Sequence, residues 1–202
     1  MIYLFATNNA NKVKEIQPFF AGSGITIQSL GDLGLAFTPG EDGDTFQHNA
    51  LQKATETLAF LQQNGHSNMA VLSDDSGLCV QDLGGLPGVD SANFMGRETP
   101  YEVRNRHLIS ALPPHSNRVA KFVCVIACAF PGGKTLTTTG EVHGLITPHE
   151  PKGSKGFGYD PIFYLPDFRK TMAELSVAEK NTISHRGQAL AKMKALLHTA
   201  TQ

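Results

Sequence analysis

In Ala70-Val71-Leu72-Ser73-Asp74-Asp75-Ser76-Gly77-Leu78-Cys79-Val80, two adjacent carboxylates stand between two short apolar runs. Residues 70–72 and 78–80 are typical of strands, which predicts that Asp74 and Asp75 lie in a tight connection between them. Side chains alternate faces along a strand, so the two carboxylates would diverge if both lay inside one. At a strand end, with a glycine two residues on, the backbone can turn and bring both to one point.

This acidic pair has two interpretations. Mg²⁺ prefers oxygen ligands, usually one or two carboxylates together with water and substrate phosphates, so the pair is a candidate metal site. Asp, Ser and Gly are also good turn formers, and the segment alone is equally compatible with a simple turn between strands. Features elsewhere in the chain have to decide between the two.

Composition excludes several classes of protein. The chain has 202 residues, which predicts one domain, and 41% of them are hydrophobic, enough for a sizeable core. Its net charge of −1 gives no general attraction to nucleic acid or to an anionic membrane. Three cysteines without a C-x-x-C spacing predict buried free thiols in a reducing compartment. No apolar run is long enough for a signal peptide or a membrane span, so we expect a soluble cytoplasmic protein with no nucleic-acid or membrane partner.

A polar, asparagine-rich segment follows the first apolar run. Residues 2–6 predict a buried strand, and Val13, Ile16 and Phe20 then have helical spacing. A strand-to-helix turn of this kind places backbone N–H groups at a helix start, where anions are favoured. It predicts a phosphate-binding segment; a helix cap with a solvated lysine is the alternative, because no glycine-rich Walker pattern is present. The candidate residues are Thr7, Asn8, Asn9, Ala10, Asn11 and Lys12.

An acidic, glycine-rich loop precedes a long predicted helix, residues 45–63, which Asp44 or Thr45 would cap. Asn49 and Lys53 lie four residues apart and would share one face of this helix, where they could jointly bind a ligand. An exposed polar face is the alternative. The apolar stripe of the helix consists of Phe46, Ala50, Leu51, Ala54, Leu58 and Leu61.

The middle of the chain continues an alternating α/β pattern. Residues 101–112 predict a helix that ends at two prolines. Residues 119–130 and 136–146 predict two strands joined by a Pro-Gly-Gly-Lys hairpin. The side chains of the helix expected to face inward are Val103, His107, Leu108 and Leu112.

Glycines flank two aromatic residues in the loop of residues 153–163. A glycine-rich backbone is costly to order, so Phe157 and Tyr159 are poor core material but suit a platform on which a base can stack. Lys155 would supply charge, and Asp160 would be an acceptor or a structural anchor. An aromatic turn that packs on the sheet is the alternative.

The last predicted helix begins with two cationic side chains. Ser184 is a suitable N-cap, which puts His185 and Arg186 in the first helical turn. A cation there opposes the helix dipole, so an anionic or polar ligand would offset the local cost of Arg186. This conflict predicts a functional role for the segment.

Four segments stand in the order found in one enzyme family. They are Thr7-Asn8-Asn9-Ala10-Asn11-Lys12, Ser73-Asp74-Asp75-Ser76-Gly77-Leu78, Gly156-Phe157-Gly158-Tyr159-Asp160-Pro161-Ile162-Phe163 and Ser184-His185-Arg186-Gly187. Together they resemble the inosine triphosphate pyrophosphatase family, whose members are also called XTP/dITP diphosphatases. The resemblance extends over essentially the whole chain, and it is specific because all four segments occur in series.

The resemblance implies an elongated, two-lobed α/β fold with a long mixed sheet, a single domain over residues 1–202, an active site in a central cleft, and a homodimer. It also implies Mg²⁺-dependent hydrolysis of ITP, dITP and XTP to the monophosphate and pyrophosphate. Asp75 would bind the metal with Glu41 and accept a proton, and Asp74 and Lys53 would be further catalytic residues. The triphosphate would be held by Thr7 to Lys12, Lys53 and Ser76. The purine and its sugar would contact Phe157, Gly158, Tyr159, Asp160, Lys180, His185 and Arg186.

Two positions depart from the pattern of the family: Asn9, where many members have a small residue, and His48, where an acidic residue is common. Three other functions stay open: a Maf-like pyrophosphatase acting on modified pyrimidine nucleotides, a non-catalytic nucleotide-binding module, and a single-stranded nucleic-acid binder. The near-neutral charge counts against the last, since such grooves are basic. The residues alone let either Asp74 or Asp75 be the base.

Overall fold

A computed structural model describes residues 1–7 and 16–199. The predicted phosphate-binding residues Asn8, Asn9, Ala10, Asn11 and Lys12, and Val13 of the following helix, lie outside the described residues. The chain divides into two compact units. Unit 1 takes its described residues from Met1–Asp75, Cys124–Gly140 and Arg186–Gln202, and unit 2 consists of Ser76–Val123 and Glu141–His185.

Seven strands form one mixed sheet in the order β2-β1-β3-β4-β5-β6-β7. The first strand is parallel to both of its neighbours, with Leu4 opposite Val71 of the third, whereas the sixth is antiparallel to the fifth and the seventh. The predicted α/β fold with a mixed sheet is therefore confirmed. The strands are β1 Ile2–Phe5, β2 Thr26–Ser29, β3 Ala70–Val80, β4 Val119–Ala129, β5 Thr135–Ile146, β6 Phe163–Leu165 and β7 Lys170–Thr171.

Four α-helices have fully described bounds: α1 Phe46–Gln63, α2 Tyr101–Ala111, α3 Val177–Ile183 and α4 His185–Thr199. Residues 16–20 are also helical. The predicted helix 45–63 is confirmed as α1, and of its two candidate caps it is Thr45 that accepts a hydrogen bond from the backbone N–H of His48, at 3.1 Å.

Helices cover both faces of the sheet in unit 1. On one face, buried residues of α1 pack against alternate residues of the strands, among them Leu4, Val71 and Val125. On the other face, buried residues of α4 pack against the intervening strand residues, among them Phe5 and Leu72. We call these the α1 face and the α4 face. The helix residues involved are Ala50, Ala54, Leu58 and Leu61 of α1, and Ala189, Leu190, Met193 and Leu197 of α4.

Strand β3 corrects the prediction made from its own sequence. It runs without interruption through the acidic pair, so the expected tight connection between two shorter strands is wrong. Asp74 and Asp75 are both buried, at 1% and 8% exposure, and they point to opposite faces as residues inside one strand must. The strand continues because a charged partner meets the carboxylate on each face, so neither needs a turn to reach a partner.

A separate core lies in unit 2, and α2 enters it differently from the prediction. Leu108 and Leu112 are buried as expected, but Val103 and His107 are exposed. The inward positions are instead held by two polar residues, Arg104 at 2% exposure and Asn105 at 3%. Arg104 Nη1 and Nη2 and Asn105 Nδ2 donate to backbone carbonyl groups of loops, and such bonds permit the burial of polar side chains.

All three cysteines are free thiols. Cys124 and Cys128 are buried as predicted, whereas Cys79 is only half-buried. Burial raises the pKa of Cys128 to about 12, so this thiol stays protonated and unreactive. Within the described part of the chain, none of the helices has the length and apolar character needed to cross a membrane.

Candidate active site

Four side chains form a polar network on the α1 face, which we call the carboxylate cluster: Glu41, Asn49, Lys53 and Asp75. The Lys53 ammonium contacts the Glu41 carboxylate and lies 3.1 Å from Asp75 Oδ1. Asn49 Nδ2 donates to the other carboxylate oxygen, Asp75 Oδ2, at 3.2 Å. Both oxygens of Asp75 are therefore bonded, and its orientation is fixed from two sides.

The local structure of α1 explains this arrangement. Asn49 and Lys53 are one helical turn apart, so both reach the same carboxylate of β3. Ser73, two residues before Asp75 and on the same face, donates its hydroxyl to the carbonyl of Ala50 at 2.5 Å, which docks the helix on the strand. The prediction that Asn49 and Lys53 act together from one face of the helix agrees with their shared contact to Asp75.

Asp74 belongs to the α4 face. Its Oδ2 lies 3.4 Å from both Nε and Nη2 of Arg186, in the first turn of α4, and the two side chains are almost completely buried. The sequence predicted that a ligand would offset the cost of a cation at this helix start. In the described structure the carboxylate of Asp74 lies beside Arg186 at this helix start.

Burial and neighbouring charges shift the pKa values of Asp75 and Lys53. Burial raises the pKa of Asp75, as does the charge of Asp74, and the nearby Lys53 ammonium and the hydrogen bond from Asn49 offset these effects only in part. Burial alone would lower the pKa of Lys53, but Asp74, Asp75 and Glu41 together raise it. Lys53 is therefore charged at neutral pH, while Asp75 binds a proton more readily than an ordinary aspartate.

The donor set suits a hard divalent cation that also binds phosphate. Among the described residues, no group of three or more His, Cys, Asp or Glu side chains is arranged to enclose a metal ion by itself. The cluster instead offers two carboxylates, Glu41 and Asp75, which share one lysine. One or two carboxylates completed by water and substrate phosphates is the usual protein site for Mg²⁺, so these residues fit that ion.

A second group of predicted residues lies in unit 2, and we call it the Phe157 loop, residues 156–160. Asp160 Oδ2 accepts hydrogen bonds from the backbone N–H of Phe157 at 2.9 Å and from Lys180 Nζ at 2.8 Å. The same ammonium lies 5.3 Å from the centre of the Phe157 ring. The sequence predicted that Asp160 is either an acceptor for a ligand or a structural anchor. These contacts agree with the structural anchor, because the carboxylate binds both the loop and Lys180.

Tyr159 does not form the predicted stacking platform. It is 4% exposed, its hydroxyl donates to the carbonyl of Ser91 at 2.8 Å, and its ring meets Tyr101 edge-on at 5.3 Å. A buried ring with a bonded hydroxyl is core material, which was the alternative interpretation. The neighbouring Gly158 carbonyl accepts from Asn105 Nδ2 at 3.1 Å. Since Tyr159 is buried, the partly buried Phe157 is the aromatic ring of this loop on which a base could stack.

Three further predicted site residues, His185, Ser76 and Thr7, lie within the described part of the chain. His185 is 7% exposed and its ring stacks on Phe122 at 4.8 Å. Ser76 is half-buried in β3, and Thr7, also half-buried, follows β1. The structure thus brings together Glu41, Lys53, Asp74, Asp75 and Arg186 within unit 1, and Phe157, Asp160 and Lys180 within unit 2.

Two residues that hold the loops of unit 2 in place, Arg104 and Asn105, were not predicted from the sequence. Arg104 donates to the carbonyls of Ala92 at 2.7 Å and Gly96 at 2.9 Å, and Asn105 holds Gly158. The only signal was a pair of adjacent polar residues at positions where an amphipathic helix needs apolar ones. The loops that these side chains bind are distant in sequence, which periodicity does not reveal.

The motifs and this geometry agree with comparisons to known proteins. The model of the Ham1 family matches residues 3–196. The chain belongs to the Ham1 family. A protein of Exiguobacterium sp. (strain AT1b), named dITP/XTP pyrophosphatase, is 46% identical over 195 residues, 96% of each chain. One of the same name from Clostridium perfringens is 40% identical over 194 residues, 95% of each chain.

Solved structures of the Ham1 family have the same fold. The Staphylococcus aureus Ham1 protein superposes with a TM-score of 0.87 at 36% identity, over 99% of this chain and 100% of its own. The resemblance inferred from the four sequence segments is thereby confirmed, because the relatives carry the name that those segments indicated.

Proposed function

We propose that this Ham1 family member hydrolyses the non-standard purine nucleoside triphosphates ITP, dITP and XTP to the monophosphate and pyrophosphate, with Mg²⁺. The single observation that carries the proposal is the carboxylate cluster, in which a buried aspartate, a lysine and a second carboxylate meet on the α1 face. The names of the curated relatives support the substrate class.

Asp75 is the proposed base. Its raised pKa makes it a better proton acceptor near neutral pH than an ordinary aspartate, and Asn49 and Lys53 hold its two oxygens in place. It would take the proton of the water that attacks the α-phosphorus. Asp74 is engaged with Arg186 on the other face, so we assign it the supporting electrostatic role that the resemblance implied.

Glu41 and Asp75 would hold Mg²⁺, which neutralises charge on the triphosphate when it is bound. Lys53 adds a fixed positive charge beside both carboxylates and would bind phosphate oxygens with Ser76 and Thr7. The residues Asn8, Asn9, Ala10, Asn11 and Lys12 are proposed for the same role by resemblance. No covalent nucleophile is needed, because a neutralised pyrophosphate is a good leaving group.

The purine side of the site is proposed for Phe157, Lys180 and His185, with Gly158, Tyr159 and Asp160 shaping the loop. The Phe157 ring is the remaining surface on which a base can stack. Donors aimed at the 6-oxo group would select hypoxanthine and xanthine, since a 6-amino group leaves each such donor unpaired at a cost of about 1–3 kcal/mol. A guanidinium carries five N–H donors, so the pairing of Arg186 with Asp74 is compatible with such a contact.

Three further features are proposed from the resemblance. The protein would be a homodimer, it would act in the cytoplasm, and its two units would be the lobes of one domain over residues 1–202. Neither nucleic acid nor membrane would be a partner, because the net charge of −1 provides no general attraction to a polyanion.

Pyrophosphate release from ITP, dITP, XTP and the four common triphosphates, with and without Mg²⁺, tests the proposal. We expect release from the first three only, and only with the metal. Hydrolysis restricted to modified pyrimidine nucleotides would favour the Maf-like alternative. Tight binding of ITP without pyrophosphate release would favour a nucleotide-binding module instead.

A further inference from the structure

The segment that carries Glu41, residues 37–44, lies along one side of α1, and we call it the Glu41 loop. The ring of Phe37 stacks on Phe60 with 4.6 Å between centroids and an interplanar angle of 10°. The beginning of the loop is thus attached near the C-terminal end of α1. Its later part is attached near the N-terminal end, where the Gly43 N–H donates to Asn49 Oδ1 at 2.8 Å.

A third attachment lies directly before Glu41. The backbone N–H of Gly40 donates to Glu56 Oε2 at 2.7 Å, and Gln52 Nε2 donates to the other oxygen, Oε1, at 3.0 Å. Glu56 is therefore oriented by a side chain one turn earlier on the same helix. Its carboxylate receives the loop at a fixed point, and Lys53, which contacts Glu41, stands between Gln52 and Glu56 along the chain.

Two glycines of the loop lie close against side chains of α1. A Cβ atom added at Gly40 would lie 2.5 Å from Gln52 Nε2, and one added at Gly43 would lie 2.5 Å from Cγ of His48. A larger residue at either position would displace the Gln52 or the His48 side chain, so glycine lets the backbone approach these side chains closely. The backbone on both sides of Glu41 is pressed against α1 side chains.

The Glu41 side chain itself is 47% exposed, so burial does not fix its position. Its position depends on where the backbone of the loop is held and on the contact with Lys53. We propose that Glu56 is a positioning residue for the metal-binding carboxylate Glu41, acting through the N–H of Gly40. This inference rests on the proposed function, in which Glu41 and Asp75 hold the metal together.

Two variants separate the hydrogen bond from the charge of Glu56. Glu56→Ala removes the acceptor, and we expect the Mg²⁺ concentration for half-maximal pyrophosphate release to rise about tenfold, with little change in kcat at saturating metal. Glu56→Gln keeps a carboxamide oxygen that can accept from Gly40, and its new NH2 group can donate to Gln52 Oε1 once the Gln52 amide turns over, so it should behave like the wild type. Gln62→Ala, an exposed polar position on the same helix, is the matched control.

Two measurements do not depend on turnover. Mn²⁺ binding by electron paramagnetic resonance, without substrate, should weaken about tenfold in Glu56→Ala and stay unchanged in Glu56→Gln and Gln62→Ala. Amide hydrogen exchange at Gly40 should accelerate in Glu56→Ala alone, since that N–H loses its acceptor.

Unchanged Mn²⁺ affinity in Glu56→Ala would overturn the inference, and so would equal defects in Glu56→Gln and Glu56→Ala. These outcomes differ from a failure of the proposed function. In that case the wild-type protein would release no pyrophosphate from ITP, while the Mn²⁺ and exchange measurements would still report whether Glu56 positions the loop.

Discussion

The two faces of β3 present the same side chain, an aspartate, in two different electrostatic settings. On the α1 face, Asp75 shares Lys53 with Glu41, and the Glu41 side chain is 47% exposed to solvent. On the α4 face, Asp74 meets Arg186 with both side chains at 5% exposure or less. One lysine thus contacts two carboxylates on the first face, whereas on the second face Asp74 lies against the guanidinium of Arg186.

This difference separates the face that carries the proposed base from the face that carries the supporting aspartate. A carboxylate with an incomplete counter-charge, close to solvent, can accept a proton or bind a metal. A buried carboxylate that faces a guanidinium, as Asp74 faces Arg186, would leave an uncompensated charge inside the protein if it took up a proton, which is strongly unfavourable. The two aspartates are adjacent in sequence, yet the faces of the sheet give them different chemistry.

The largest expected effect comes from removing the charge on the α1 face. Asp75→Asn should lower kcat for pyrophosphate release by about 10³-fold or more, because the proton acceptor and a metal ligand are lost together. Burial raises the folded-state pKa of Asp75, so its stabilising contribution is present below the unfolded pKa and is lost as pH rises through the folded one. At pH 7 the variant should therefore unfold at a temperature no lower than the wild type.

Activity assays and thermal unfolding check both parts of this prediction. Asp74→Asn is the matched comparison on the other face, and it should lose stability. Near-wild-type turnover in Asp75→Asn would exclude this residue as the base. The different roles assigned to Asp75 and Asp74 would then be wrong.

The buried pair on the α4 face gives the next largest effect. Asp74→Ala and Arg186→Ala should each lower the free energy of unfolding by about 3–5 kcal/mol, because each removes one member of a buried ion pair. The double variant should lose clearly less than the sum of the two single losses. Urea unfolding of the four proteins measures the coupling.

An exposed pair provides the control for this cycle. Arg106 and Glu150 lie 3.4 Å apart with side chains 66% and 80% exposed, so their coupling should stay below about 1 kcal/mol. Additive losses at Asp74 and Arg186 would mean that the two side chains do not stabilise each other.

Much of the fold was predictable because its signals are local. The cap at Thr45 and the 3.6-residue spacing of apolar positions define α1, and the Pro-Gly-Gly-Lys turn defines the hairpin of β4 and β5. The placement of Asn49 and Lys53 on one face of α1 followed from the same helical period. These features need no knowledge of the rest of the chain.

The errors arose where distant partners decide. Asp74 and Arg186 are 112 residues apart in sequence, so nothing in the acidic segment showed that a cation would receive Asp74 on the second face. Turn-forming residues were therefore overridden by strand pairing. Tyr159 was misassigned for a similar reason, since its hydroxyl binds Ser91, 68 residues away.

The pH dependence of activity should report the titration of Asp75. Protonation of Asp75 should cause the acidic loss of kcat/KM. Because burial raises the pKa of Asp75, the midpoint of this loss should lie above about pH 3.9, the ordinary aspartate value. Asn49→Ala removes a hydrogen bond that lowers this pKa, so it should move the acidic limb to higher pH. Raising the Mg²⁺ concentration should move it to lower pH, because the metal competes with the proton.

Asp74→Asn provides the comparison for the pH profile. The charge of Asp74 raises the pKa of Asp75, so this variant should move the acidic limb to lower pH, opposite to Asn49→Ala. Loss of the acidic limb in Asp74→Asn, with no shift in Asn49→Ala, would mean that Asp74 is the titrating carboxylate and that the assignment of the base is wrong.

The smallest expected effects come from two hydroxyls that dock the helices on opposite faces. Ser73 donates to the Ala50 carbonyl of α1 at 2.5 Å, and Thr138 donates to the Ala189 carbonyl of α4 at 2.8 Å. Ser73→Ala and Thr138→Val should each cost about 1 kcal/mol in urea unfolding, the usual net value of such a hydrogen bond.

Their effects on activity should differ, although their effects on stability are alike. Ser73 precedes Asp75 by two residues on the same face, and α1 carries Asn49 and Lys53, so loosening this contact should raise the Mg²⁺ concentration for half-maximal activity about two- to threefold. Thr138→Val should leave that concentration unchanged. Equal shifts in both variants would mean that the two faces respond as one, because a stability loss alone would then account for the change in metal dependence.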